Sequence, residues 1–471
     1  MTGLAPFLLQ CMNLPLAPLS MPVSETLPDL EKISAAVGGA ARVAFGPAHI
    51  YPLSAPAFSA QPMAERACPQ GERLKLYVHI PFCNYACNFC FYAKQIGASL
   101  ESKERYVAAL LKELEAIPQG TPLSELFVGG GTPTALPPAL LGKILSAIMQ
   151  HMTPGAGQVH TVEGTPETIT EEHLAVLRDH GVGRVSMGVQ SLDPGVLANV
   201  RRRHTSADAL DACGRVVAGG RVLNVDLIYG LPGYTEEMFR EDFASVAERG
   251  VHSVTVYNLR VNQSTPVAAA IRDDERLDLS RLMRWRAFIN ETAEAMGFVQ
   301  TRWHTYRRRD GAALRHQRAP SSSDSGLGHQ FGLGMSARSH LGGMIFRNED
   351  RLEPYIARIV SGQSPVGETL ELSEGDRKAL HVARTLGDGR ELDCARYAEF
   401  FGTDFLKEFR TPLQQLLDAG LIEINSTTVR LSPSGRLVHD LITEKFYPEQ
   451  AREWLAGQQA ALRRHALAPA V

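Results

Sequence analysis

An alternation of short apolar runs with amphipathic segments begins at Leu74 and continues to about residue 300, and it constrains the fold more than any other feature of the chain. Buried strands that alternate with helices build βαβ units, in which the strands run parallel. The apolar runs predict strands at residues 76–80, 126–130, 159–163, 185–190, 222–228 and 253–259. Six such units predict a parallel sheet that closes, fully or in part, into a barrel.

The segments around these strands divide the chain. Helical periodicity is present at residues 103–117, 138–151, 170–180 and 236–249, and again at 376–386, 394–401 and 405–419. Residues 421–424 and 429–431 follow as a short hairpin, which is typical of a winged helix. The predicted domains are an irregular N-terminal extension (1–73), the barrel (74–304), a linker that carries substrate or cofactor contacts (305–370) and a mostly helical C-terminal lid (371–471).

Composition and charge exclude several classes of function. Lys and Arg total 48 against 51 acidic residues, and a net charge of −3 lacks the basic footprint of a nucleic-acid-binding protein. No apolar run approaches the roughly 18 residues of a membrane-spanning helix. Prolines interrupt the apolar N-terminus, and the first basic residue is Lys32, which argues against a signal peptide. We therefore expect a cytoplasmic protein, monomeric, that binds neither nucleic acid nor membrane.

Three of the seven cysteines, Cys83, Cys87 and Cys90, form a C-x3-C-x2-C motif directly after the first predicted strand. A loop in this position lies at the carboxyl end of the barrel, where barrel enzymes build their active sites. Three thiolates can hold three irons of a [4Fe–4S] cluster and leave the fourth open, whereas closed clusters and structural zinc sites take four ligands. The alternative is a zinc site completed by His79 or another histidine.

Further polar features are predicted at the same end of the barrel. A glycine-rich turn, residues 129–134, follows the second strand and would let backbone groups approach a polar ligand. Glu163, Gln190 and Asp226 stand in otherwise apolar strands, where burying a polar group is costly unless it has a partner or faces a ligand. Each alone is compatible with a structural role, but three of them beside the cysteine loop predict a pocket.

These motifs together resemble those of radical S-adenosylmethionine (SAM) enzymes, and within them the branch typified by oxygen-independent coproporphyrinogen III oxidase. The resemblance also includes Gly188-Val-Gln-Ser, Arg202-Arg-His-Thr, Asp226-Leu-Ile-Tyr-Gly-Leu-Pro-Gly and Arg347-Asn348, and it extends from about residue 74 to 450. It implies an α/β fold: a partial (β/α)6 TIM-like barrel with a winged-helix-like C-terminal domain. It also implies a [4Fe–4S] cluster, and an external electron donor such as a flavodoxin or ferredoxin.

The resemblance assigns roles to individual residues. Cys83, Cys87 and Cys90 would ligate the cluster, whose open iron chelates SAM; reduction then cleaves SAM to a 5′-deoxyadenosyl radical that abstracts hydrogen. The remaining cofactor-binding residues would be Phe89 near the adenine, Gly130, Gly131 and Thr132 with Glu163 at the methionyl amino group, Arg202 at the carboxylate, Gln190 and Asp226 at the ribose, and Tyr77.

Three members of this branch compete. The oxidase motif normally continues Cys-x-Cys, but Cys90 is followed by Phe91 and Tyr92, and the oxidase stretch Asn-Phe-Gln-Gly-Tyr is absent. Heme-binding chaperones of the branch carry a His-Asn-x-x-Tyr-Trp element, which is also absent, although His329 and His340 remain candidate heme ligands. The third class is the class C radical SAM methyltransferases and cyclopropanases, which lack the fourth cysteine and share the pattern Cys-x-Phe-Cys-x-Phe/Tyr.

The predicted function is therefore that of the third class, in which two SAM molecules serve to transfer a methyl or methylene group to an sp2 carbon of an unsaturated small molecule. The second SAM would lie between the mouth of the barrel and residues 332–334. Its candidate contacts are residues 257–260, with Asn258 and Arg260, and residues 336–339, with Arg338, which could instead contact an acidic substrate. The alternatives are the oxidase and the heme-binding chaperone.

Overall fold

The computed structural model describes residues 30–37, 66, 72–155, 157–261, 265–271, 277–302, 304–309 and 328–453. Most of the predicted N-terminal extension and the centre of the predicted linker, residues 310–327, lie outside these ranges. Among the described residues, no helix combines the length and the apolar character needed to cross a membrane.

Strands and helices are interspersed along these ranges. The strands are β1 (Leu74–Ile80), β2 (Phe82–Cys83), β3 (Gln95–Ile96), β4 (Pro122–Gly130), β5 (Thr153–Pro154), β6 (Thr161–Gly164), β7 (Arg184–Gln190), β8 (Val222–Tyr229), β9 (Ser253–Asn258), β10 (Phe298–Arg302), β11 (Thr305–Arg308), β12 (His329–Leu333), β13 (Arg338–Leu341), β14 (Met344–Asn348), β15 (Val366–Glu371), β16 (Leu392–Asp393), β17 (Ile422–Ile424) and β18 (Thr428–Leu431). The α-helices are α1 (Leu30–Val37), α2 (Leu100–Leu114), α3 (Pro138–His151), α4 (Glu171–Asp179), α5 (Pro194–Asn199), α6 (Ser206–Ala218), α7 (Glu236–Glu248), α8 (Val267–Ala270), α9 (Leu279–Ala295), α10 (Leu352–Val360), α11 (Glu374–Arg384), α12 (Cys394–Phe401), α13 (Phe405–Glu408), α14 (Arg410–Asp418), α15 (Pro433–Arg436) and α16 (His439–Thr443). Short 3₁₀ helices span Pro133–Ala135, Leu386–Asp388 and Glu444–Phe446.

Six parallel strands form the centre of the molecule, in the order β9-β8-β7-β6-β4-β1. They are the six strands that the sequence predicts, and each end lies within four residues of its predicted position. The sheet stays open, because β1 also pairs in parallel with β12 and β9 pairs with β11. The predicted partial (β/α)6 barrel is confirmed.

The helices of the barrel begin at residues whose side chains cap them. Ser99, Thr170 and Thr235 each accept a hydrogen bond from a backbone N–H of the first helical turn, and Thr205 forms a reciprocal capping box with Asp208. Such caps satisfy backbone donors that have no partner within the helix. They fix where each crossover helix starts and therefore how long each loop at the active-site end can be.

The sequence predicts a linker at residues 305–370. In the structure, residues 328–371 instead contain strands that continue the barrel sheet. β12 pairs with β1, and β13, β14 and β15 follow as antiparallel neighbours. Glu113 of α2 holds this extension in place: it binds Arg66 (2.6 Å), the Gly334 N–H (2.7 Å), Asn348 (2.8 Å) and the Tyr355 hydroxyl (2.6 Å). A buried carboxylate with this many donors is fully compensated for its loss of water.

The C-terminal domain has the predicted winged-helix-like hairpin, β17–β18, with β16 on the far side of β18. The prediction of a single helix over residues 405–419 is wrong. The backbone dihedral angles of Phe409 are not helical, and this residue separates α13 from α14. The Phe409 ring packs against Phe405 and Phe446. Helix α1, in the part of the chain predicted to be irregular, adds Ile33 and Val37 to the same apolar core.

A buried ion pair joins the barrel to the C-terminal domain. Arg286 of α9 donates to both carboxylate oxygens of Asp440 at 2.9 Å, to the Leu437 carbonyl at 2.7 Å and to the Tyr229 hydroxyl at 3.2 Å. The Arg286 and Asp440 side chains are only 9% and 7% exposed. Since Tyr229 ends β8, the contact ties the C-terminal domain to a strand of the active-site wall.

The Asp440→Ala variant should be strongly destabilised, because it leaves the Arg286 charge buried without its partner. We expect the free energy of unfolding to fall by about 3–5 kcal/mol. The matched control is Glu353→Ala, which breaks an exposed pair with Arg105 and should cost about 0–1 kcal/mol. Chemical denaturation of both variants measures this, and equal losses would contradict the structural role of the buried pair.

Candidate active site

A cavity of about 360 Å³ lies at the carboxyl ends of the parallel strands. Its wall contains every residue of the predicted cluster and cofactor set except Arg338: Tyr77, Cys83, Cys87, Phe89, Cys90, Gly130, Gly131, Thr132, Glu163, Gln190, Arg202, Asp226 and Asn258. The strands of a parallel sheet all end at the same edge, so residues that are far apart in sequence meet here.

The cysteine loop is anchored at both sides. At its start, the Gly131 and Thr132 N–H groups donate to the carbonyls of Ile80 and Phe82, both at 2.8 Å. Near its end, the Asn88 side chain donates to the Asn199 carbonyl at 2.6 Å. These bonds fix the loop that carries the three thiols against two neighbouring strand–helix units.

The three cysteines are free, partly exposed and close enough to one another to interact electrostatically. Burial raises the pKa of the Cys83 thiol to about 11, and its sulfur lies 3.7 Å from the Thr132 hydroxyl oxygen. Burial also raises the pKa of Cys87, against the pull of the Arg202 charge. Three thiols in one apolar loop form a soft donor set that fits three irons of a cluster.

His79 does not complete a zinc site. Its Nδ1 contacts the Tyr77 hydroxyl at 3.0 Å and its Nε2 contacts the Ala93 carbonyl at 3.2 Å, so both ring nitrogens are engaged. Burial lowers its pKa to about 4. Within the described ranges, no three His, Cys, Asp or Glu side chains converge on a position for a single metal ion.

The glycine-rich turn requires glycine at two positions. Gly130 has φ +114°, and a Cβ there would lie 2.7 Å from the His79 ring. A Cβ at Gly131 would lie 2.8 Å from the Pro81 carbonyl. Both contacts are shorter than side chains tolerate, so only glycine lets the turn pack against the start of the cysteine loop. The Gly130 N–H donates to Glu163 at 3.2 Å.

Two carboxylates stand side by side in the cavity wall. Burial, with the Asp226 charge adding to it, raises the pKa of Glu163 to about 8. Burial likewise raises the pKa of Asp226 to about 6, although Asn224 donates to it at 2.7 Å. A ligand that carries positive charge would relieve both effects. The ammonium and sulfonium groups of SAM fit this requirement.

Arg202 and Gln190 supply polar atoms that the protein itself does not satisfy. Arg202 donates to the Cys87 sulfur at 3.6 Å and to the Gly188 carbonyl, while its Nε has no partner. The Gln190 side-chain oxygen is also buried without a partner, and its backbone has φ +75°. Orphaned polar atoms and a strained backbone in a cavity wall are signs of a ligand site. The residues present therefore fit SAM.

Several residues of the wall escape prediction from sequence. Tyr85 donates to Glu167 at 2.7 Å, and the guanidiniums of Arg202 and Arg203 lie over the Tyr85 ring at 5.8 and 5.1 Å. Tyr85 stands between two cluster cysteines, and Glu167 lies three residues past the end of β6. For both residues, the available signal in the sequence was a position close to a predicted ligand-binding segment.

Arg338 and the candidate heme ligands lie apart from this cavity. Arg338 faces Arg347 in the β13–β14 register, two strands beyond β1, and is not part of the cavity wall. His329 binds Glu72 at 3.0 Å and accepts from the Gly342 N–H. Burial lowers the pKa of His340 to about 4. Of the candidate contacts to a second SAM, residues 257–260 lie in the cavity wall and residues 336–339 do not.

Two segments of the chain match known protein families. Residues 77–246 match the Radical SAM superfamily, and residues 389–438 match the HemN C-terminal domain. The chain thus contains a radical SAM domain, and it is similar to coproporphyrinogen oxidases and heme chaperones along most of its length. The solved structure of coproporphyrinogen III oxidase from Escherichia coli has the same fold: the TM-score is 0.69 at 23% identity, over 79% of this chain and 89% of that one.

Two relatives illustrate the range of this branch of radical SAM proteins. The heme chaperone HemW of Bacillus subtilis is 27% identical over 79% of this chain and 99% of its own length. The oxygen-independent coproporphyrinogen III oxidase of Pseudomonas aeruginosa is 27% identical over 78% of this chain and 84% of its own.

These relatives overturn the predicted function. The prediction of a class C radical SAM methyltransferase or cyclopropanase is wrong, because relatives that match most of the chain are named as coproporphyrinogen oxidases and heme chaperones. The pattern around Cys87 and Cys90 was the basis of that prediction. It describes how a cluster is held, and cluster ligation does not determine which substrate reacts or what bond forms.

The Glu163→Gln variant should stabilise the cluster-free protein increasingly as the pH rises. A carboxyl whose folded pKa is raised binds protons more tightly in the folded state, so wild-type stability falls between the ordinary pKa and about 8. The difference in the free energy of unfolding between the variant and the wild type should grow by about 1 kcal/mol per pH unit in that window. Chemical denaturation at several pH values measures this difference, and Glu104→Gln, on the surface of α2, is the control. A constant difference would contradict the burial of an uncompensated carboxyl.

Proposed function

We propose that this protein is a radical SAM enzyme that acts on a tetrapyrrole, with oxidative decarboxylation of a porphyrinogen as its reaction. The observation that carries the proposal is the complete cofactor wall. The cysteine loop, the glycine-rich turn, two destabilised carboxyls and the unsatisfied atoms of Arg202 and Gln190 converge on one cavity. The tetrapyrrole comes from the relatives, which are oxidases of coproporphyrinogen and chaperones of heme.

The residues of the wall divide the work. Cys83, Cys87 and Cys90 would hold a [4Fe–4S] cluster, which when reduced supplies the electron that cleaves SAM to a 5′-deoxyadenosyl radical. Arg202, which lies beside Cys87, would pair with the SAM carboxylate. Glu163 would accept from the methionyl ammonium, and Asp226 and Gln190 would face the ribose hydroxyls.

The glycine-rich turn adds positioning rather than chemistry. Gly130 and Gly131 bring backbone close to the cysteine loop, so SAM would be held at a fixed distance from the cluster. Enclosure by the strand ends keeps water away from a reactive intermediate. We further propose that the electron comes from a flavodoxin or ferredoxin of the cytoplasm, and that the electron left on the substrate radical when carbon dioxide departs passes to an external one-electron acceptor. A second SAM would contact Asn258.

A heme chaperone is the second candidate function. It is favoured by one observation: the chain matches 99% of the Bacillus subtilis heme chaperone but 84% of the Pseudomonas aeruginosa oxidase. The contacts of His329, a candidate heme ligand, argue against the chaperone function, because both ring nitrogens are already engaged by Glu72 and the Gly342 N–H. The two functions are separable, because the chaperone binds heme without consuming SAM in proportion to a product.

Anaerobic turnover of the reconstituted, reduced protein with coproporphyrinogen III tests the proposal. We expect 5′-deoxyadenosine and methionine in equal amounts, release of carbon dioxide, and no S-adenosylhomocysteine. Cys90→Ala should abolish all three products, whereas Cys394→Ala, outside the cavity wall, should retain them.

Two other results would redirect the assignment. Tight heme binding with no porphyrinogen-dependent SAM cleavage would replace the oxidase proposal with the chaperone. Failure to cleave SAM in any condition, with the cluster intact, would contradict the proposed enzyme.

A further inference from the structure

Four residues that line the cavity are left unused by the first cofactor. The first cofactor set comes mainly from the loop after β1 and from the ends of β4, β6, β7 and β8. Phe91, Tyr92, Tyr257 and Arg260, which follow the third cysteine or stand at the end of β9, line the same cavity. Neither the cluster nor the proposed contacts to the first SAM use these four side chains.

Two of these residues form an aromatic platform at the rim. The rings of Phe91 and Tyr92 stack with centroids 4.8 Å apart and an interplanar angle of 27°. They remain 41% and 57% exposed, although both line the cavity. Adjacent exposed aromatic rings at the mouth of a cavity mark a surface that a ligand covers. A flat or saucer-shaped apolar body fits such a platform.

Arg260 adds a cation to the same cavity. Burial lowers its pKa, while the Tyr92 and Tyr257 phenols and the Asp440 carboxylate oppose that effect. A guanidinium has a planar array of donors that matches a carboxylate in two parallel hydrogen bonds.

Arg260 also lies near the stacked rings, close enough to Tyr92 to interact with it electrostatically. A carboxylate on a substrate that covers the stack would meet its counter-charge at this residue.

We propose that Arg260 binds a carboxylate of the substrate while the Phe91–Tyr92 stack packs against its ring body. This deepens the proposed function and rests on it, because a porphyrinogen carries propionate groups around a large apolar macrocycle. One propionate held by Arg260 would fix the rotation of the macrocycle and thereby select which neighbouring side chain faces the cofactor. Arg260 thus acts as a specificity-determining residue.

Binding without turnover tests the subsite. The cluster-loaded, unreduced protein is titrated with coproporphyrin III, the oxidised tetracarboxylate, and with its neutral tetraamide, following porphyrin absorbance and fluorescence. Arg260→Gln should weaken coproporphyrin binding at least tenfold, as expected for loss of a charged hydrogen-bonded pair. It should leave tetraamide binding, SAM binding and iron content unchanged, and Arg260→Lys should recover part of the affinity. Arg430→Gln, which alters an exposed pair with Glu423, is the matched control.

The outcomes separate the subsite from the reaction. Unchanged coproporphyrin affinity in Arg260→Gln overturns the subsite, as does an equal loss of SAM affinity, which would place Arg260 on the cofactor wall. Selective loss of coproporphyrin binding in a protein that does not decarboxylate coproporphyrinogen supports the subsite and overturns the proposed reaction. Absence of coproporphyrin binding by the unaltered protein overturns both.

Discussion

The parallel alignment of six strands is the constraint on which the site depends. Because β1, β4, β6, β7, β8 and β9 all end at one edge, the cysteine loop, the glycine-rich turn and the polar residues of later strands meet in one cavity. The close packing of Gly130 against His79 and of Gly131 against Pro81 then fixes the first two of these loops to each other. A shift in the register of either strand would separate the thiols from the turn.

The electrostatics of the cavity follow from what this edge encloses. Glu163 and Asp226 are kept from water by the strand ends, which raises their pKa values and favours a ligand with positive charge. Arg202, beside Cys87, and Arg260 are the positions proposed for the carboxylates of the cofactor and of the substrate.

Much of this arrangement could be predicted from the chain itself. Periodicity located the six parallel strands, and polar residues in apolar strands located Glu163, Gln190 and Asp226. The sequence signal was weak for β12–β15, because these strands are short and contain several glycines and polar residues, and because Glu113, the residue that stabilises them, is distant in sequence. Tyr85, Tyr92 and Glu167 are ordinary surface residue types, and only the fold brings them to the cavity.

The reaction was predicted less well than the site, since the pattern between Cys87 and Cys90 was used to choose among reactions that share one cluster. Comparison over about 79% of the chain replaced that choice with relatives named as coproporphyrinogen oxidases and heme chaperones. The proposed enzyme requires that the three cysteines hold a cluster with one iron open to SAM. Electron paramagnetic resonance of the reduced cluster, with and without SAM, tests this requirement. We expect a spectrum that changes when SAM is added, and a spectrum indifferent to SAM would contradict an open iron.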